Sequence, residues 1–318
     1  MAAFKIPDTP PMTSNAYELA DYLEILCLVN DGFYSTNDAL SHIGIVSDEE
    51  NNGEGIMNDD DTLYDNLQQA LQEVDRRNIA CAYHYPFTTY QNQILLREAE
   101  DKIHIAWQLA YVYLLLATRL NMLEHKRVDD IDGTLLFEHL SAIAVKNYFG
   151  DNAKSIVFGT GVKGGFKEKV AQLINSLDEG GFAQEPEDST CDEKDGGLDV
   201  VIWKAFADQK KGKFIGFGQC KTGTEWRSQV GALLPNEFCK SFFSKQPIYS
   251  PVKMFFVAES FRENWEKISR RAGILFERCR IMENLSDIDK EEYNSLMQQM
   301  RRWVDGQLSF TKQAYTQW

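Results

Sequence analysis

Histidine is scarce in this chain and missing from its second half: the five residues sit at 42, 84, 104, 125 and 139. A histidine-metal nuclease, a histidine phosphodiesterase or a Ser-His-Asp hydrolase would find no local base in the strand-rich part that follows. The cysteines, at 27, 81, 191, 220, 239 and 279, never form a C-x-x-C pair and read as reduced thiols, so a cytoplasmic setting is expected. No long apolar run is present, because the most apolar window, Ile105 to Leu116, spans 12 residues and is interrupted by Gln108, whereas a membrane helix needs about 20. The start, MAAFKIPDTPPMT, lacks the basic and apolar pattern of a secretory signal. The glycine-rich GTGVKGG at 159–165 lacks the Lys-hydroxyl ending of a phosphate loop, so it is expected to be a connector and ATP hydrolysis is unsupported. Positive charge is also short. With 33 Lys and Arg against 48 Asp and Glu the net charge is −15, which disfavours avid non-specific nucleic-acid binding.

What is there suffices for two domains: 318 residues, 43% apolar and 12% aromatic. Residues 1–130 carry 8 Lys and Arg against 22 Asp and Glu, a charge of −14, leaving −1 for the rest. The expected division is an acidic, mainly helical domain over 1–130 and a sheet-bearing domain over 131–318. Helical spacing predicts helices over Ala16 to Asn30, from the Ser35–Asp38 cap, and over Thr62 to Ile79, with a hairpin in Tyr83 to Arg97. That order resembles a winged helix, a fold that reads nucleic acid through basic residues. Here Asp65, Glu73 and Asp75 face Arg76 and Arg77 on the third helix, so contact with a protein partner is the expectation, in a regulatory role. Val46 to Asp61 and Gln184 to Asp195 are expected to be acidic loops, and Asp195 is close enough in sequence to Asp199 to serve as a reserve metal ligand, set against the commoner reading that such acids solvate a loop. The tail from Asp289 to Trp303 is an amphipathic helix.

The stretch Gly196 to Trp226 carries the chemistry. Leu198 to Trp203 and Phe214 to Lys221 are rich in aliphatic and aromatic residues and are joined by the polar Asp208–Gly212, the pattern of a hairpin. Alternation sets Gln219 and Lys221 on one side with Cys220 on the other, and Asp199 can sit opposite that pair. Phosphodiester hydrolysis needs a hard cation held by oxygen ligands. Asp199 suits the fixed anionic ligand, the Gln219 amide oxygen a weaker one, and Lys221 the group that orients water and stabilises charge on phosphorus. Lys204, Lys211, Lys213 and Arg227 are the expected cations of a DNA groove, set against the reading that they balance local acids.

GGLDVV followed by GQCKTG, behind a glutamate-bearing helix, resembles the PD-(D/E)xK nuclease superfamily in its Mrr-type variant, where glutamine replaces the usual acid before x-Lys. The likeness extends through KMFFVAES, a helix near Asn264 to Ala272 and a strand-like GILFERCRIM, covering roughly Leu135 to Leu285. It implies an α/β restriction-endonuclease-like core with a mixed sheet flanked by helices. It further implies cleavage of DNA with Mg²⁺ or Mn²⁺, frequent service in bacterial restriction or anti-phage defence, and pairing into homodimers. It also asks for a first-helix glutamate, and two fit. Glu138 opens LLFEHLSAIAVKNYFG with the Phe-Glu pair of the family pattern; Glu168 opens GFKEKVAQLINSL, nearer to Asp199. If Glu138 serves, the second helix is an insertion between two core strands; if Glu168 serves, Phe182 to Glu185 must be a strand. Two other readings stand beside the nuclease: a partner-activated subunit of a defence complex, and a non-cutting binding module.

Overall fold

Side-chain caps set where the first helices begin. Asn15 accepts the Glu18 amide at 3.0 Å and starts α1 (Ala16–Val29), and β1 (Phe33–Ser35) leads into α2 (Thr36–Glu50), where Ser35 Oγ accepts the Asp38 amide at 3.1 Å. α3 (Asp59–Ala80) is followed by the hairpin β2 (Phe87–Tyr90) and β3 (Gln93–Leu96), which form a three-stranded sheet in the order β1-β3-β2. Asp101 then caps α4 (Lys102–Arg119), and a small β4 (Arg127–Val128) and β5 (Ile131–Asp132) ladder leads into α5 (Gly133–Phe149). Beyond α5 come β6 (Ala153–Val157), α6 (Phe166–Leu177), β7 (Val200–Lys204), β8 (Phe214–Lys221), α7 (Pro235–Phe242), β9 (Val252–Val257), α8 (Trp265–Ala272) and β10 (Ile274–Phe276). The chain ends in α9 (Arg278–Glu283) and α10 (Asn294–Tyr315). The computed structural model describes residues 3–50, 59–159, 164–185 and 197–315. Asp195 and most of the 159–165 connector fall outside them.

The fold is mixed α/β, with a central sheet of five strands in the order β10-β9-β8-β7-β6. β7 runs antiparallel to both of its neighbours, β6 and β8, and β8, β9 and β10 run parallel. One face of this sheet carries Val201, Trp203, Ile215 and Phe217, buried against Val170, Leu173 and Ile174 of α6 and Phe238 and Phe242 of α7. The opposite face is filled differently: a side chain at Gly218 would meet Phe256 at 2.5 Å, so only glycine lets the β9 aromatic lie across β8. No helix among the described residues is long and apolar enough to cross a membrane.

Two units emerge from the packing, residues 1–136 with 258–261 and 278–318, and residues 137–257 with 262–277. Residues 278–318 thus join the first unit, whereas the 131–318 expectation groups them with the sheet. GILFERCRIM also departs from a single strand: Ile274–Phe276 is β10, and Arg278 onward is helical. The reason is the burial of Arg278, whose Nη1 and Nη2 donate to Asp21 at 2.7 and 3.1 Å. Arg77 joins them, donating to Asp21 and to Glu24 at 2.7 Å each, and Arg119 Nε donates to the other Asp21 oxygen at 2.7 Å. All five side chains are fully buried.

Burial alone would raise the Asp21 carboxyl, but the charges of Arg278, Arg119 and Arg77 overcome it and hold that group well below the usual carboxylate range. Glu24 goes the other way, because its burial outweighs the pull of Arg77 and the charge of Asp21 adds to the rise. A depressed folded-state pKa contributes stability above the unfolded value of about 4 and loses it as pH falls, whereas the raised Glu24 contributes the opposite slope. Asp21→Asn, which leaves three buried guanidiniums short of an anion, should cost about 3–5 kcal/mol at neutral pH. It should also flatten the loss of stability on acidification below about pH 4. Urea melts of both proteins at several pH values check this; an unchanged midpoint at pH 7 contradicts it.

Candidate active site

Asp199 lies one step beyond the last β7–β8 pair, Val200 with Gly218, and therefore faces Gln219. Its backbone is clamped on both sides: the amide donates to the Gly218 carbonyl at 2.9 Å and the carbonyl accepts the Phe158 amide at 2.8 Å. Its side chain is held as well, since Oδ2 accepts the Cys220 amide at 2.7 Å. The expected hairpin is thus present, in a register that brings Asp199 to the Gln219–Lys221 triplet.

The alternation that buries Phe217 with Val201 and Trp203 sets Gln219 and Lys221 on that same face. Gln219 is 2% exposed, and its Oε1 is a buried oxygen with no hydrogen-bond partner. An orphaned buried carbonyl of this kind is costly unless something ligates it. Its Nε2 lies over Gly197, where an added Cβ would come within 2.5 Å, and Gly197 has φ of 74°. The second glycine of GGLD is therefore needed twice, for its left-handed backbone and for the room it leaves the amide.

Glu138 lies in the second turn of α5, and its charge is felt at Cys220. The Cys220 thiol reports this: burial, then the negative charges of Asp199 and Glu138, push it well above its ordinary range, while the Ser141 hydroxyl and the Lys221 ammonium act in the opposite direction. The charges of Asp199, Glu138 and Lys221 are thus all felt at the Cys220 thiol, and each of the three side chains is half-buried. Glu168 is exposed, and its side chain folds back over Gly164 and Gly165, where added Cβ atoms would meet it at 2.8 and 3.2 Å. The strand that a Glu168 site requires is also missing, for within Phe182 to Glu185 only Ala183 makes an isolated bridge, to Phe243. β6 itself pairs with β7, so α6 is an excursion between adjacent strands.

The expected groove cations divide. Lys213 is buried at 5% exposure with Nζ donating to the Leu177 carbonyl at 2.7 Å, where it closes the C-terminal end of α6; it is not available to a phosphate. Lys204 is exposed and donates to the Phe149 carbonyl at the end of α5, at 2.7 Å. Lys211 is exposed in the β7–β8 turn, and Arg227 lies exposed over the Trp226 ring, 4.6 Å from its centre. Sequence reasoning missed the part of Cys220, whose amide positions Asp199, because a backbone donor has no side-chain signature. Among the described residues no cluster of three or more His, Cys, Asp or Glu is placed to hold a metal.

No protein-family model, no curated protein and no solved structure matches this chain. The geometry around Gly197 has a direct consequence. Gly197→Ala should lower stability by about 1–2 kcal/mol through the left-handed backbone alone, and should displace the Gln219 amide. Thermal melts and the Gln219 side-chain NMR signals measure both; an unmoved Gln219 resonance would show that the contact is slack.

Proposed function

We propose that this chain is a divalent-metal-dependent deoxyribonuclease with a restriction-endonuclease-like core, an effector of bacterial restriction or anti-phage defence. The observation that carries this is the strand register that sets Asp199, held by the Cys220 amide, opposite Gln219 and its unpartnered buried oxygen, with Lys221 on the same face of the strand and the charge of Glu138 felt at Cys220. The five-stranded mixed sheet supports it, since the motif likeness implies such a sheet flanked by helices. The β6–β7 pairing supports Glu138 over Glu168.

Asp199, Glu138 and the Gln219 oxygen would hold Mg²⁺ or Mn²⁺, hard ions that take oxygen donors. Such an ion supplies neutralisation of the phosphate oxygens and a more acidic bound water. The protein's own groups do the rest. The Cys220 amide fixes one Asp199 oxygen, so the carboxylate approaches in one orientation. Lys221 orients the attacking water and stabilises charge that builds on the phosphorane oxygens. Lys211 and Arg227 remain exposed for backbone phosphates.

The first unit supports a regulatory role. Its order α1-β1-α2-α3-β2-β3 agrees with a winged-helix likeness, yet the α3 cations are consumed. Arg77 is buried among Asp21, Glu24 and Glu73, and Arg76 Nε donates to Glu73 at 2.6 Å. A unit so used suits a protein partner better than DNA, which favours, as second reading, a nuclease switched on only in complex.

Plasmid cleavage with and without EDTA tests the assignment. Asp199→Asn, Glu138→Gln and Lys221→Ala should each lose about 10²-fold or more, with Glu168→Gln close to wild type. Undiminished cutting by Asp199→Asn and Lys221→Ala would refute the site. A wild-type chain inert alone but active after addition of defence-complex subunits would select the partner-gated form.

A further inference from the structure

At the foot of the β2–β3 hairpin, the segments on either side of it and the start of α4 enclose a cavity of about 510 Å³. Its walls include Tyr83, Trp107, Glu98, Glu100, Gln108 and Arg97, so aromatic surface meets two carboxylates and one cation. Trp107 is held rigidly. Its Nε1 donates to the Leu285 carbonyl at 2.9 Å, and His84 stacks on it with centroids 3.9 Å apart and planes 15° from parallel. His84 is anchored in turn by the Met282 carbonyl, 2.8 Å from Nδ1, and burial lowers its pKa, so it is neutral at pH 7 and does not repel a cation. His104 meets Trp107 edge-on with its Nδ1 on the Asp101 carboxylate at 2.7 Å, so any charge there is offset.

The rim is set by an unusual turn. Past α3, Ala82 and Tyr83 have φ of 50° and 67°, two consecutive left-handed residues in a position that glycine fills more cheaply. The result is that Tyr83 stands 67% exposed at the mouth of the cavity. A large aromatic held outward beside a half-buried indole, with Glu98 and Glu100 exposed nearby, is a surface for a flat cation.

We propose that this cavity docks an arginine side chain from a partner protein. The guanidinium is planar, stacks on aromatic faces and bonds carboxylates in pairs, which suits Tyr83, Trp107, Glu98 and Glu100 better than the compact ammonium of lysine. Charge complementarity runs wider than the cavity, because residues 1–130 hold 22 acids against 8 Lys and Arg. The two glutamates repel phosphate, so a nucleic-acid occupant is disfavoured. The docking surface stands independently of the nuclease reading, and either can fail alone.

The Trp107 indole N–H, hydrogen-bonded and assigned with Trp107→Phe, is the probe in the full chain by NMR. Titration with the blocked tripeptide acetyl-Gly-Arg-Gly-amide should shift it saturably, and the citrulline analogue, of equal shape without charge, should bind about fivefold more weakly or worse. Glu98→Gln with Glu100→Gln, and separately Tyr83→Ala, should weaken the arginine peptide by about the same factor; both changes are on exposed side chains, and plasmid cleavage should not change. Equal binding of citrulline, no movement of Trp107, or a shift caused by a single-stranded oligonucleotide in place of the peptide would overturn the proposal.

Discussion

The register between β7 and β8 is the constraint on which the candidate site rests. Antiparallel pairing of Val200 with Gly218 brings Asp199 to Gln219, and a slip by one residue would turn Gln219 and Lys221 to the other face. Several things prevent the slip. Val201, Trp203, Ile215 and Phe217 are all buried against α6 and α7, so the wrong register would expose that apolar set. Asp199 adds a further lock, bonded through its amide to Gly218, through its carbonyl to Phe158 and through its carboxylate to Cys220. The same contacts that pin the strand aim the acid, so stability and site geometry are not separable here.

Charge is used sparingly in this acidic chain. Three of its arginines, 77, 119 and 278, are buried around Asp21 and Glu24, where each is fully withdrawn from solvent. Two of the lysines that sequence offers to DNA instead close helix ends, Lys213 at Leu177 and Lys204 at Phe149. A cation at a helix C-terminus meets unpaired carbonyls and the negative end of the helix dipole, which explains why such lysines settle there. Of the four cations weighed for a groove, Lys211 and Arg227 stay exposed without capping a helix, in a chain whose net charge is −15.

Much of the architecture was legible because its signals are local. The helices α1 and α3, the β2–β3 hairpin and the β7–β8 hairpin all follow from apolar period, side-chain caps and polar turns. Other readings failed where a local pattern met a distant partner. Arg278 reads as part of an apolar strand until Asp21, 257 residues away in sequence, binds it in a helix. A Glu168 site would need Phe182 to Glu185 as a strand, yet β6 pairs with β7 and only Ala183 of that segment makes a bridge. Lys213 looks like a surface cation until the end of α6 covers it.

For the site itself, residue types and spacing alone determined that Asp199 and the Gln219-x-Lys221 triplet belong together, since two adjacent strands joined by a short polar turn have few ways to pair. The choice between Glu138 and Glu168 was beyond it, because each opens an amphipathic helix at a plausible distance. Tertiary structure separates their surroundings: β6 pairs with β7, the charge of Glu138 is felt at Cys220, and Glu168 lies over the glycines before its own helix. Short-range pairing is written in alternation and turns, whereas the meeting of a helix with a sheet end depends on which long-range contacts bury the most surface, and no local pattern encodes that sum.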